Sequence, residues 1–295
     1  MKPVEYVLNL DPKFTPYSEV QRVDLQFEKF VFSGGEVHIK LGYQVEIPGA
    51  EINKVLITHR INSSQHVMEV LLAADALRRK YGDDLVLEAY FPYIPYARQD
   101  RVMVEGEPLS LKVFANLINT CRFKKVTVLD PHSDVSAALI NNLKTVAPLF
   151  LHTAVTYIKN HHNPEQFANF RLMVPDGGAL KKSHALATFI NYKHEVLCAN
   201  KVRDVGTGKI LRTEAPAFDY TGQVILIVDD ILDGGRTFIE LAKVLKALGA
   251  AAVYLAVSHA IVSHGETELA RWLDKIFTTN SIKDETSSLI YKALL

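Results

Sequence analysis

The feature that most constrains this chain is the run Val224-Ile225-Leu226-Ile227-Val228, five consecutive apolar residues that give way to Asp229 and Asp230. A strand with one wet face alternates apolar and polar residues. A run that is apolar at every position therefore predicts a central strand of a parallel sheet, covered by helices on both faces. Such a strand belongs to an α/β domain, and polar residues at its carboxyl end stand where open α/β sheets bind their ligands. The chain continues through Asp233, Gly234, Gly235, Arg236, Thr237 and Phe238, an acid followed by a tight turn and the start of a helical pattern. This order suits a phosphorylated sugar. The aspartates can accept hydrogen bonds from two ring hydroxyls or face Mg²⁺, and the glycines let backbone N–H groups close on a phosphate. Thr237 adds a hydroxyl at the positive end of a helix. Read alone, the segment is also compatible with a plain connector and a helix cap.

Further apolar runs predict strands over 55–58, 85–90, 126–129, 172–174 and 253–257. Between them, apolar residues at helical spacing predict helices over 66–80, 109–119, 238–248 and 266–273. The expected fold class is therefore α/β, with central, mostly parallel sheets flanked by helices. At 295 residues the chain exceeds one typical core, and Lys144 to Pro148 separates two strand-helix series, so domains over 1–147 and 148–295 are expected. Thirty-three basic residues balance thirty-three acidic ones, which gives a nucleic-acid groove no support. Cys121 and Cys198 stand apart, without metal or redox spacing, as in a protein of a reducing cytoplasm. No apolar run approaches the ~18 residues of a membrane span, and the first residues lack a secretory pattern. A soluble protein that binds neither membrane nor nucleic acid is expected.

The segment from Val224 to Phe238 resembles the signature that binds phosphoribosyl pyrophosphate (PRPP) in phosphoribosyltransferases and in PRPP synthetases. Other segments choose between the two: Pro95-Tyr96-Ala97-Arg98-Gln99-Asp100-Arg101, the run Val128 to Asp134, Phe32 to Val37, Val174 to Lys182, the pair Lys201 and Arg203, and Ser258 to Ser263. Together and in this order they resemble the PRPP synthetase, or ribose-phosphate pyrophosphokinase, family. The resemblance implies two phosphoribosyltransferase-like domains with ATP bound in a cleft between them, Mg²⁺ as cofactor, and a homo-oligomer, dimer-based and ring-forming as in a hexamer. It implies that the diphosphate of ATP is transferred to the C1 hydroxyl of ribose 5-phosphate. Carried over by position, Phe32, Glu36, Arg98, Gln99 and His132 bind ATP, with Phe32 and Glu36 reaching a neighbouring subunit's adenine. His132 and Asp176 hold or adjoin Mg²⁺. Asp229, Asp230, Asp233, Gly234, Gly235, Arg236 and Thr237 bind ribose 5-phosphate, while Lys201 and Arg203 belong to a mobile catalytic loop.

Elementary chemistry agrees with these roles, because transfer from ATP is mainly positioning plus placed cations, and the polar stretch after Lys201 suits a loop that closes over the site. The run Gly206 to Lys209 imitates a phosphate-binding P-loop. Its first glycine is missing and Ile210 stands where a metal-binding hydroxyl belongs, so that reading is rejected. A phosphoribosyltransferase that consumes PRPP accounts for Val224 to Phe238 but not for the Arg98 segment or His132. A non-catalytic partner subunit would have lost site cations or metal ligands that this chain retains. The other ten histidines show no ligand spacing and are read as surface or core residues.

The chain departs from the family pattern at Gly34, usually an aspartate that reads the adenine amino group, and at Gly234, usually a threonine. The Pro175-Asp176-Gly177-Gly178-Ala179 run is also one residue shorter than usual. Gln44 to Ile52 carries no basic residue where the family's arginine-containing turn binds regulatory phosphate, and the chain ends short of the segment that completes that allosteric site. Weak dependence on free phosphate and weak allosteric inhibition by ADP are therefore expected. Assayed at fixed ATP and Mg²⁺, activity should persist when free phosphate is withdrawn; its collapse would refute the expectation.

Overall fold

The computed structural model describes residues 4–14, 21–43, 51–146, 148, 150–203 and 210–295. The described chain divides into two compact units, Met1–Ala147 and Pro148–Leu294, each built on its own six-stranded sheet.

The first unit runs β1 (Val4–Asn9), β2 (Gln21–Asp24), β3 (Phe27–Val31), β4 (Val37–Leu41), β5 (Lys54–Thr58), α1 (Ser64–Tyr81), β6 (Val86–Tyr90), α2 (Ser110–Thr120), β7 (Lys125–Leu129), α3 (Asp134–Leu139) and β8 (Leu143–Val146). Its sheet has the order β2-β1-β5-β6-β7-β8 with every pair parallel, and β3 and β4 form a separate antiparallel hairpin. The connector read from sequence as Lys144 to Pro148 begins inside a strand, because Leu143–Val146 form the edge strand β8. Its mixed composition suits a strand paired on one side only.

The second unit runs α4 (Phe150–His161), α5 (Pro164–Asn169), β9 (Arg171–Val174), α6 (Leu180–Phe189), β10 (Leu197–Cys198), β11 (Asn200–Arg203), β12 (Ile210–Glu214), β13 (Val224–Leu232), α7 (Arg236–Ala247), β14 (Ala252–Ala260), β15 (Lys275–Thr279) and β16 (Ile290–Ala293). Its parallel sheet has the order β10-β9-β13-β14-β15-β16, and β11 pairs with β12 in an antiparallel hairpin. The all-apolar run has the expected cause. Ile225 and Ile227 pack in one core with Phe238, Leu241 and Leu245 of α7. Val224, Leu226 and Val228 pack in a second core with Phe150, Leu151, Ala154 and Ile158 of α4.

Two expectations fail locally. The strand does not break at its aspartates: β13 runs through Asp229 and Asp230 to Leu232, pairing with β14 along most of that length. The helix expected over 266–273 is only a 3-10 turn, Leu269–Arg271. Leu269 and Leu273 are both buried, which explains the helical spacing. The carboxylate of Asp274 then accepts hydrogen bonds from the Val253 amide and the Lys246 ammonium, both at 2.7 Å, and this fixes the chain where β15 begins.

Helix α1 shows how a polar group can belong to a core. Ser63 caps it by accepting from the His66 amide, and Val67, Val70, Ala73, Ala74 and Leu77 form its buried stripe. Glu69 lies within that stripe and is wholly buried. Its Oε2 accepts from Lys29 Nζ of β3 and from His59 Nε2, each at 3.0 Å, and its Oε1 accepts from Gln65 Nε2 at 3.2 Å. Burial alone would raise this carboxyl, but the hydrogen bonds from His59, Lys29 and Gln65 outweigh it and hold the pKa down to about 2. Burial also lowers the His59 pKa, so a neutral ring donates Nε2–H to an ionised carboxylate. Glu69 thereby ties the β3–β4 hairpin to α1 and to the end of β5.

Truncating Glu69 takes the acceptor from the buried His59 ring and the partner from Lys29, whose ammonium can turn to solvent, so Glu69→Ala should cost about 1–3 kcal/mol in urea denaturation. The folded pKa, about 2, lies below the ordinary value of 4.5. The stabilisation is thus complete above about pH 4.5 and drains as pH falls toward 2, so the wild-type and variant midpoints should converge in acid.

Candidate functional site

In the second sheet the chain starts at β9, passes to the edge at β10, and returns on the other side at β13, which places the switch of direction between β9 and β13. Ligands of open α/β sheets bind outside the carboxyl ends of strands at such a switch. Both strands end there in acid. Asp176 follows β9 and caps the 3-10 turn Gly177–Ala179 by accepting from the Gly178 amide at 3.0 Å. Asp229 and Asp230 occupy the end of β13, where Asp229 Oδ1 accepts from the Asp230 amide at 2.9 Å. Burial, then the adjacent Asp230 charge, pushes the Asp229 carboxyl up to about 7, and Asp176 contributes in the same direction. Three carboxylates at one dry strand edge repel one another.

Beyond Leu232 come Asp233 and Gly234, then Gly235 in a left-handed conformation at φ 78°, directly before α7. A Cβ on Gly235 would lie 2.7 Å from Leu269 Cδ2, so both the backbone angle and the space require glycine. Arg236 is exposed and Thr237 half-buried in the first turn of α7, whose leading N–H groups have no partners within the helix. An acidic pair beside an amide-rich turn can hold a diol at one end and an anion at the other.

Lys201 and Arg203 lie on β11, paired with β12, and the register shifts between Val202 and Arg203. Their side chains lie outside the description. Residues 204–209, which include part of the segment read as a closing loop and the whole of the rejected P-loop imitation, are outside the described residues. The last part of that segment, Ile210–Glu214, is strand rather than loop.

In the first unit, Arg98 and Gln99 are exposed in the turn after β6, and exposed His132 follows β7. Both loops bend through left-handed residues that are not glycine, Tyr96 at φ 62° and Asp130 at φ 42°. Buried Asp100 joins the loops, accepting from Ser133 Oγ at 2.6 Å and from Arg101 Nε at 2.9 Å. The Arg101 hydrogen bond is the main reason that its carboxyl stays below the usual range. Asp100, named in the sequence only as part of the Pro95 to Arg101 segment, is by its burial and its Ser133 bond the joint between the Arg98 and His132 loops. Of the aromatics around these loops, Phe91 belongs to the core, edge-on to Phe123 at 6.0 Å.

Phe32 and Glu36 close the β3–β4 hairpin, Phe32 exposed and edge-on to Phe30 at 4.9 Å. A Cβ on Gly34 would lie 2.5 Å from Glu36 Oε2, so the Glu36 carboxylate fills the space that a side chain at 34 would take. The turn of Gln44 to Ile52 lies outside the described residues up to residue 50.

One cluster escaped the sequence reading. His59, His66 and Glu69 each bring a ligand-type atom within 4.8 Å of the others, although the histidines had been read as surface or core. The spacing of His66 and Glu69, three apart on one helix face, was the available signal. Lys29 already supplies a cation to this carboxylate.

Among known proteins, a sequence model described as the N-terminal domain of ribose phosphate pyrophosphokinase matches residues 14–121, and one described as the phosphoribosyl synthetase-associated domain matches residues 214–293. The chain is 27% identical over 271 residues to the ribose-phosphate pyrophosphokinase of Saccharolobus solfataricus, covering 90% of this chain and 88% of that one. It is 28% identical over 230 residues to that of Pyrococcus furiosus, covering 76% of each. The crystal structure of phosphoribosylpyrophosphate synthetase from Mycobacterium smegmatis matches with a TM-score of 0.74 at 21% identity, covering 92% of this chain and 87% of that one, which shows a shared fold.

The acidic edge has a consequence for stability. The folded pKa of Asp229, about 7, lies above the ordinary value of 3.8, so its contribution is intact below about pH 4 and is lost as pH rises through 7. By calorimetry, Asp229→Asn should melt above the wild type at pH 8, and the gap should close near pH 4.

Proposed function

The chain belongs to the ribose-phosphate pyrophosphokinase family, and we propose from that premise how its own residues transfer the β,γ-diphosphate of ATP to the C1 hydroxyl of ribose 5-phosphate, giving PRPP and AMP. The observation that carries the assignment of the sugar site is the juxtaposition at the carboxyl end of β13 of an acidic pair, a glycine turn and the amino end of α7.

Asp229 and Asp230 accept hydrogen bonds from the two ring hydroxyls of ribose 5-phosphate, which relieves the repulsion that raises Asp229. The amides from Asp233 to Thr237, the Thr237 hydroxyl and the exposed Arg236 receive the 5-phosphate. The sugar is thereby held at both ends, so its C1 oxygen is presented in one orientation to the β-phosphorus, a positioning effect that makes the attack effectively unimolecular. The new bond forms between that oxygen and the β-phosphorus. The bond from the β-phosphorus to the oxygen it shares with the α-phosphorus breaks, and AMP departs.

On the ATP side, Arg98, Gln99 and His132 bind the nucleotide, with Phe32 and Glu36 completing the adenine site of a neighbouring subunit in a dimer-based homo-oligomer. Asp100 positions the Arg98 and His132 loops through its bonds to Arg101 and Ser133. Lys201 and Arg203 meet the negative charge that grows on phosphoryl oxygens during transfer. A cytoplasmic location belongs to the same proposal; among the described residues no helix is long and apolar enough to cross a membrane.

Family members are generally Mg²⁺-dependent, and the residues present fit such an ion. Mg²⁺ prefers oxygen ligands and keeps several waters, and the Asp229 carboxyl, raised by burial and by the neighbouring Asp230 and Asp176 charges, belongs to a donor set that a divalent cation would relieve. Asp176 is the proposed protein ligand, while the imidazole of His132, a poor ligand for so hard an ion, is better placed against the ion's water or the phosphates. When bound, Mg²⁺ supplies charge neutralisation to the diphosphate.

The test is incubation with Mg²⁺, ATP and ribose 5-phosphate, with quantification of AMP and PRPP. Equal yields that depend on the sugar phosphate support the reaction, and absence of both defeats it. In the same assay Lys201→Ala should lose roughly 10²-fold or more in kcat, as when a placed transition-state donor is removed. A near-normal kcat would take the catalytic role away from Lys201.

A further inference from the structure

We propose that His264 is a phosphate-binding residue of the ribose 5-phosphate site, taking the place of the side-chain donor that Gly234 lacks. The inference rests on the assignment of the Asp233–Thr237 turn to the sugar phosphate.

Three observations converge on it. A Cβ built on Gly234 would lie 3.0 Å from His264 Cδ2 and 3.1 Å from its Nε2, with Ser263 Oγ at 3.8 Å. The edge of an imidazole thus occupies the space that a side chain at position 234 would enter. Second, backbone bonds pin the segment that carries His264 against the phosphate turn. The Ile261 and Val262 amides donate to the Leu232 carbonyl at 2.8 and 3.3 Å, and the Ser263 amide donates to the Asp233 carbonyl at 3.3 Å. Third, Val262 is held in the left-handed region at φ 55°, a conformation that a β-branched residue adopts only under constraint, and its carbonyl closes a turn to the Gly265 amide at 3.2 Å. Ser263 and His264 are the two central residues of that turn. Strain of this kind persists where the surrounding structure enforces it, and here it sets an exposed imidazole beside the glycine turn.

An imidazole N–H is a good donor to a phosphate oxygen, as is the hydroxyl that the family's threonine would present at position 234. The chain therefore carries a two-residue exchange: the side chain at 234 is removed, and a donor reaching from the loop after β14 fills the vacated space.

The experiment is calorimetric titration of the full-length protein with ribose 5-phosphate, and separately with inorganic phosphate, for the wild type and for His264→Leu, His264→Gln and the pair Gly234→Thr with His264→Gly. A hydrogen bond to a charged group predicts that His264→Leu, which fills the space without a donor, weakens ribose 5-phosphate binding by about 10-fold or more. The glutamine variant, which keeps an N–H, should recover most of that loss, and the paired variant should bind through the restored hydroxyl. Leucine binding as tightly as histidine overturns the proposal, because the ring would then act by packing alone. Absence of phosphate binding in the wild type overturns it as well. Failure to make AMP and PRPP while these titrations behave as expected would defeat the diphosphate-transfer reading and leave His264 in place.

Discussion

The second unit depends on one unfavourable arrangement, two adjacent carboxylates at the end of a strand whose preceding residues are buried on both faces. Leu226, Ile227 and Val228 exclude water from below, and the parallel pairing of β13 with β14 continues past the aspartates to Leu232. The acids are thus fixed by the sheet itself and cannot swing apart as they could in a loop. The result is a carboxyl pushed up to about 7 in a protein of zero formal charge. Such a cost is tolerated where a ligand removes it, and hydroxyl donors or a divalent cation would do so. The packing that makes β13 rigid also makes its end a binding edge.

The two sheets share a topology and differ in what fills the switch of strand direction. In the first sheet the switch lies between β1 and β5, and it is closed. Arg60, buried after β5, donates to Asp11 at 2.6 Å and covers the Phe14 ring at 5.3 Å, while the Thr58 hydroxyl meets Asn9 at 3.0 Å. A crevice filled by its own ion pair has no need of an external ligand. The polar loops with strained backbones sit instead at the neighbouring strand ends, after β6 and β7, where Tyr96 and Asp130 are left-handed. In the second sheet the same position carries Asp176, Asp229 and Asp230, acids at the ends of β9 and β13, and it is there that the sugar site is proposed. One strand order thus carries an ion pair at one switch and a set of acids at the other.

What the sequence revealed follows from how each element is stabilised. Strands covered on both faces and helices with a continuous apolar stripe announced themselves: β5, β6, β7, β9, β13, β14, α1, α2 and α7 all lie where the periodicity placed them. The edge strands β2 and β8, paired on one side only and carrying polar residues, were not among the predicted strands, and neither were the central β1 and β15. The spacing of Leu269 and Leu273 misled for the opposite reason: two buried residues one helical turn apart need only a single turn between them. Polarity also placed the end of β13 too early, since Asp229 and Asp230 remain in the ladder. The glycine turn and its aspartates were legible because their chemistry is local. The Asp100 bond to Ser133 was not, because it joins residues 33 positions apart across two strand ends.

The two glycines at which the chain leaves its family's pattern obey one rule. At Gly34 the carboxylate of Glu36 occupies the space, and at Gly234 the imidazole of His264 does so. Neither glycine is required by its backbone, since the left-handed angles fall on the adjacent Gly35 and Gly235. Space explains both positions better than flexibility, because a polar side chain from elsewhere has taken the volume, and a Cβ would have to displace it. Glu36 is itself one of the adenine-site residues that the family resemblance names, whereas His264 stands outside that pattern and carries the N–H donor proposed above. Loss of a side chain at a binding turn therefore does not by itself mean loss of the interaction. The atom that matters can arrive from another loop, and only the fold shows whether it has.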